Sequence, residues 1–247
     1  MKIAISVLIS TPLLMFSMEG LAVAQTVNVL PTANDVVTKM VQQDALRKAQ
    51  LYSYTATRRY VAINDARRAE MRVELSCAID GEKRFRILSE EGSSAIRKHV
   101  FYKMLREETD ASRRDTSAST HITPANYDFQ LIRKDFINER PAYLLLVKPK
   151  NESKYLIDGR IWVDAADYSI VRIEGSPAKS PSFWIRSIHF EHTYQKVGPF
   201  WFAAATHSVN EIRVFGEAEL TIETSDYKLN PAGNDTAKTE YPAGIPR

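Results

Sequence analysis

Cysteine is nearly absent. Cys77 is the only one in 247 residues, which excludes an internal disulfide framework and any C-x-x-C redox or zinc motif. Glycine is sparse as well. The nine glycines form neither a G-x-G-x-x-G nor any other phosphate-binding loop. G-x-S-x-G and H-E-x-x-H are missing too, so neither a nucleophile elbow nor a zinc helix is encoded. The expectation is a protein that is not an enzyme and that uses no cofactor. A dominant charge sign is also lacking. Lys and Arg number 33 against 30 Asp and Glu, a net +3, which is too mild to imply nucleic acid. The basic pairs Arg58-Arg59, Arg67-Arg68 and Arg113-Arg114 are scattered and read as solvated faces. A weak attraction to anionic lipid headgroups is compatible with them.

Long hydrophobic runs are confined to the start. Lys2 supplies a positive end, Ile3–Phe16 an apolar stretch, and Ala22-Val23-Ala24 a small-residue cleavage pattern. This predicts a secretory signal over 1–24, with an uncleaved anchor as the alternative. No cysteine near Ala24 is available for lipidation. The expected product is soluble and periplasmic, with one domain over 25–228 and a disordered tail over 229–247, where Pro, Gly, Asn and Thr replace apolar residues.

What is present is alternation. Tyr52–Ala62, Glu70–Ile79, Lys83–Leu88, Tyr127–Leu131, Tyr143–Val147, Tyr155–Val163, Ile170–Ile173, Phe183–Tyr194, Trp201–Val209 and Val214–Ile222 each read as a strand with one dry face. Ala142–Val147 is apolar on both faces, so it should be covered on both sides. Gly175–Pro181 is expected to break the ladder. Cys77 falls on the apolar face of its strand and reads as a small buried hydrophobe. Two helices interrupt the pattern. Asn34–Ala49 repeats apolar residues every three to four positions behind Asn34 or Asp35 as cap. Ser94–Arg114 carries Ile96, Val100, Met104, Leu105 and Ala111; it is either a lid over the sheet or an ordinary packing helix. The fold class is mainly β (α+β), a curved antiparallel sheet of about ten strands forming an unclosed barrel.

Candidate chemistry is thin. His189 and His192 are three apart and would point to opposite faces of a strand; no acidic or sulfur ligand completes a metal set with His207. Asp158, Asp164 and Asp167 flank turns and read as solvated.

The stretch GRIWVDAADYSIVRIEG, followed by KSPSFW and YQKVGPFW, resembles the outer-membrane lipoprotein-sorting proteins of the LolA/LolB type. The resemblance covers roughly 32–228. It implies a periplasmic half-barrel that carries acyl chains of lipoproteins or lipids, monomeric, handing them between inner- and outer-membrane transport partners. The same fold also serves in envelope sensing, where it binds a partner protein without transport. In the carrier family an arginine of the barrel helps hold the lid shut. Arg58 and Arg59 are the candidates by position, but no residue-for-residue match ties the role to either. Strand parity puts Ile161, Val163, Val171, Ile173, Trp184, Ile188, Phe190, Trp201, Leu220 and Ile222 on the dry face. These ten are the expected lining of a hydrophobic cavity for acyl chains. Any bulge would exchange faces.

Overall fold

In the computed structural model, residues 30–64, 66–113, 120–180, 185–213 and 216–230 are described. The expected signal over 1–24, the tail beyond Asn230, Trp184 and Val214 lie outside them. The order is α1 (Ala33–Gln50), β1 (Ser53–Asn64), β2 (Arg67–Cys77), β3 (Lys83–Gly92), then a helical segment made of α2 (Ser94–Ile96), a π-helical turn (Arg97–Phe101) and α3 (Tyr102–Arg113). Seven strands follow: β4 (Tyr127–Ile137), β5 (Arg140–Pro149), β6 (Ile157–Asp164), β7 (Ile170–Pro177), β8 (Ile185–Val197), β9 (Phe200–Ile212) and β10 (Gly216–Asn230).

All ten strands form one antiparallel sheet in the order β3-β2-β1-β10-β9-β8-β7-β6-β5-β4. Strands consecutive in the chain pair with one another, except β3 and β4, and β1 also pairs β10. β3 and β4 are consecutive in the chain yet form the two outer edges, so the sheet stays open. The helical segment that follows β3 packs against β1–β3, on that side of the sheet.

The side-chain register is continuous across nine strands. Met71, Tyr60, Ile222, Thr206, His192, Ile173, Ile161, Leu145 and Leu131 oppose one another in turn. This row marks the inner face, the one both helical regions cover. Two apolar clusters sit there. In the first, Val36, Val37 and Met40 of α1 pack on Tyr127, Leu145, Val147, Ile161, Val163 and Ile173. In the second, Phe101 and Leu105 of the helical segment pack on Tyr60, Ala62, Ala69, Met71 and Val73. The π turn adds one residue per turn, and Phe101 at its end is fully buried. A third cluster, Ala142, Leu144, Trp162 and Val171, occupies the other face of β5–β7. β5 is thus covered on both sides, as its uninterrupted apolar run requires.

Several boundaries differ from the sequence expectation. The cap of α1 is Thr32, not Asn34 or Asp35. Thr32 Oγ1 accepts from the Asp35 amide at 3.1 Å, and Asp35 Oδ2 accepts from the Thr32 amide at 3.0 Å. This reciprocal pair satisfies two otherwise orphaned donors. β7 does not break at Gly175 but runs on to Pro177, because Gly175 lies directly opposite Gly159 of β6. A Cβ on Gly159 would stand 2.1 Å from the Glu174 carbonyl oxygen, so these two backbones approach more closely than side chains permit. β10 extends through Leu229, which the sequence had assigned to the tail. Cys77 ends β2 only partly buried.

Candidate functional site

Between the two helix-covered halves, the middle strands β7–β9 contribute a cavity of about 200 Å³. Ile157, Ile173 and Phe190 supply its apolar wall, Tyr127 and Tyr155 its aromatic rim. His192 and Thr206 are its polar end, and Thr120 and Ile122 of the chain leading into β4 complete its lining. Tyr127 is held by its hydroxyl, which accepts from the Ile157 amide at 3.1 Å.

His192 is turned inward, into the cavity lining. Its Nδ1 lies 2.5 Å from Thr206 Oγ1 on β9, directly opposite in register, and its ring meets Tyr194 edge-on at 4.6 Å. Burial, and then the positive charge of Arg58, hold its pKa down at about 4. The ring is neutral at physiological pH. His189 is exposed near Glu174, and His207 is exposed beside Thr221. The three do not converge. Among the described residues no cluster of three or more His, Cys, Asp or Glu is placed to hold a metal.

Next to this cavity a charged cluster joins the sheet to α3. Arg58 is 8% exposed, so the reading of Arg58-Arg59 as a solvated pair is corrected for its first member. Arg58 shares strand parity with Ala56 and Tyr60, which turns it inward. Its Nη1 donates to Glu108 Oε2 of α3 at 2.7 Å and to the Tyr60 hydroxyl at 3.2 Å. Its guanidinium lies 5.7 Å from the centre of the Phe85 ring. Lys83 Nζ reaches the other oxygen of Glu108 at 2.8 Å. Burial pushes the Glu108 carboxyl up, but Lys83 and Arg58 outweigh it and leave its pKa below the ordinary value. Arg59 points to the opposite face and bridges Glu70 and Glu223.

The ten expected cavity residues separate. Ile173 and Phe190 line the cavity. Ile161 and Val163 are fully buried beneath α1. Leu220 and Ile222 pack into the second cluster, beneath the helical segment. Ile188 lies opposite Asn210 on the same side, half-buried and beyond the cavity. Val171 sits in the third cluster, because β7 is bulged: Trp162 opposes Arg172 and Val163 opposes Ile170, so Val171 is the extra residue. Trp201 also packs against that cluster, where its Nε1 donates to Asp167 Oδ2 at 3.0 Å. A partly buried indole N–H is satisfied by such an acceptor, which holds the ring on this face.

Asp164 and Asp167 are not solvated turn ends. Asp164 is 1% exposed and accepts from Arg140 Nε at 2.7 Å and from the amides of Ala166 and Asp167. Asp167 accepts from Trp201 and from Lys196 Nζ at 2.7 Å, while its carbonyl accepts from Arg47 of α1. Burial alone would raise the Asp167 carboxyl; the Lys196 and Trp201 hydrogen bonds override it and bring its pKa to about 2. The signal for cavity residues that parity reasoning missed was weak. Thr120 and Ile122 come from an irregular segment, and Thr206 and His192 are polar.

Fold and site together define an open, helix-covered antiparallel sheet with an interior cavity. No protein-family profile matches the chain, and no curated protein matches it by sequence. Among solved structures it is similar to a DUF1329 family protein from Desulfovibrio piger, at 11% identity and TM-score 0.43, over 86% of this chain and 98% of that one. It is similar to an outer membrane lipoprotein-sorting protein domain from Vibrio parahaemolyticus, at 14% identity and TM-score 0.41, over 81% and 96%. It is also similar to a LolA superfamily protein from Nitrosomonas europaea, at 11% identity and TM-score 0.35, over 81% and 94%. Residue roles do not transfer across such distances.

Proposed function

We propose that this chain is a periplasmic carrier that shelters acyl chains of lipids or lipoproteins on its inner face for sorting toward the outer membrane. The observation that supports it most is the largely apolar cavity on the inner face of an open sheet, whose β1–β3 side is covered by the helical segment. Each buried CH₂ contributes about 0.8 kcal/mol, so acyl chains alone give carrier-strength affinity. The cavity of about 200 Å³ is smaller than the roughly 300 Å³ at which ligand pockets begin. Loading then requires the helical segment to lift, exposing the surface that Phe101 and Leu105 cover and breaking the contacts of Glu108 with Arg58 and Lys83. Nothing in this process makes or breaks a covalent bond; the role is binding, not catalysis. No helix among the described residues is long and apolar enough to cross a membrane, which accords with a protein that moves between membranes.

A second reading, a partner-binding envelope sensor, draws on the open β4 edge, where Ile132 and Phe136 are exposed. Such an edge can accept a strand from another chain.

The experiment is mass spectrometry of material extracted from natively purified protein, together with uptake of a fluorescent fatty acid. Ile157→Trp fills the cavity and should block uptake. Val171→Ala, in the third cluster, should lower the melting temperature and leave uptake intact. Absence of any acyl species, with no uptake by the wild type, overturns the carrier reading and favours the partner-binding one.

A further inference from the structure

We propose that Arg58 selects amphiphiles with an anionic headgroup, the headgroup taking the place of Glu108 at the guanidinium when α3 lifts. This rests on the carrier reading and adds the chemical class of cargo. Three observations carry it. Arg58 is more than nine-tenths buried, and its Nε is a buried donor with no hydrogen-bond acceptor. Its position on β1 puts it on the inner face, between Ala56 and Tyr60, not at the solvated rim. Two cations, Arg58 and Lys83, share the single carboxylate of Glu108.

The consequence is electrostatic. Glu108 belongs to the helical segment, so it leaves when that segment leaves. A guanidinium then remains on an apolar face without a counter-ion, and covering it again with a cargo buries a charge that is strongly disfavoured unless the cargo compensates it. A neutral cargo offers no remedy. A cargo with an acidic headgroup replaces the departing carboxylate, and its second oxygen can meet Nε, the donor that Glu108 leaves unused. Guanidinium geometry favours this fork-like capture of a carboxylate or phosphodiester. The charge also reaches the cavity, since Arg58 contributes to holding His192 neutral at the cavity's polar end. The acyl chain would lie along the row that runs from Tyr60 through Ile222, Thr206 and His192 to Ile173.

The test is equilibrium binding at neutral pH of matched pairs: a long-chain fluorescent fatty acid against its methyl ester, and labelled phosphatidylglycerol against phosphatidylcholine. In the wild type the anionic member of at least one pair should bind about tenfold tighter or more, the scale of a charge-assisted contact. The pair that shows the preference identifies the source of the anion, carboxylate or phosphodiester. Arg58→Gln should bring that ratio close to one, and Arg58→Lys should restore part of it. Glu108→Gln removes the competing carboxylate and should raise the ratio, a change of opposite sign that misfolding does not produce. If anionic and uncharged members bind the wild type equally, or if Arg58→Gln leaves the ratio intact, the proposal is overturned while the carrier reading stands. If no member of either pair binds, the carrier reading itself has failed.

Discussion

Arg58 on β1 and Glu108 on α3 are fifty residues apart in the chain and 2.7 Å apart in space. Their contact is one of the polar attachments of the helical segment to the sheet, with that of Lys83 to the same carboxylate, beside the apolar one made by Phe101 and Leu105. Removing one partner strands the other. Glu108→Ala should cost about 2–3 kcal/mol, under the roughly 3–5 kcal/mol of a fully buried pair because Glu108 retains some solvent contact. The double variant Arg58→Met/Glu108→Met should lose less than the sum of the two single changes. Urea unfolding of the four proteins in a cycle measures this; strict additivity would mean that the contact is not coupled.

How much of this was legible beforehand divides along physical lines. Period-two alternation between turn signals located most of the ten strands, because one dry face leaves a regular trace in the residues, while β5 was marked by a run apolar on both faces. The inward turn of Arg58 was legible too: it has the parity of Ala56 and Tyr60, and only the habit of placing arginines outside concealed it. Val171 was not legible, since the bulge that displaces it depends on pairing with β6 and leaves no mark in β7 alone. Nor were Asp164 and Asp167. Short acidic residues at a turn look the same whether water or Arg140, Lys196 and Trp201 satisfies them. The cavity needed the whole register, because its lining comes from β4, β6, β7, β8, β9 and the segments before β4 and β6.

His192 gives the protein an acid-sensitive step. Its pKa is about 4 in the fold against an ordinary 6.5. The unfolded chain therefore binds the extra proton first. Stability is full above 6.5 and falls as pH drops from 6.5 toward 4, by on the order of 3 kcal/mol. Glu70 and Asp167, both at about 2, lose their contributions only at lower pH, so most of the window belongs to His192. His192→Gln should flatten the stability profile between 6.5 and 4. A profile unchanged by that substitution would assign the acid sensitivity elsewhere.

Gly159 and Gly175 make a second, independent prediction. A methyl group at Gly159 would collide with the Glu174 carbonyl and with Gly175 Cα at 2.7 Å, both backbone. Gly159→Ala should therefore force the β6–β7 ladder apart at a cost of about 3 kcal/mol. Gly198 is the contrast. Its φ is +60°, but a Cβ there would meet only the Leu229 side chain at 3.8 Å. Gly198→Ala should cost only about 1–2 kcal/mol, the penalty of a left-handed alanine. Thermal melts of the two variants separate close approach from backbone conformation; equal losses would contradict the distinction.

Asp167 ties three parts of the fold together: α1 through Arg47, β8 through Lys196 and β9 through Trp201. Its carboxyl is held at about 2 in the fold, below the ordinary 3.8. The stability this supplies is present above 3.8 and is lost as pH falls through 2. Asp167→Asn keeps the shape and removes the charge. It should destabilise the protein by about 1–2 kcal/mol at neutral pH, the range of a charge-assisted hydrogen bond that is partly exposed to water. The difference between variant and wild type should shrink toward zero as pH approaches 2, where the wild-type carboxyl is itself becoming neutral. Trp201 reports the event directly, since its indole donates to the same oxygen, and its fluorescence should shift in the variant at neutral pH. Unfolding curves followed at both pH values decide the matter. A deficit that persists undiminished at pH 2 would show that Asp167 acts through packing, not through its charge.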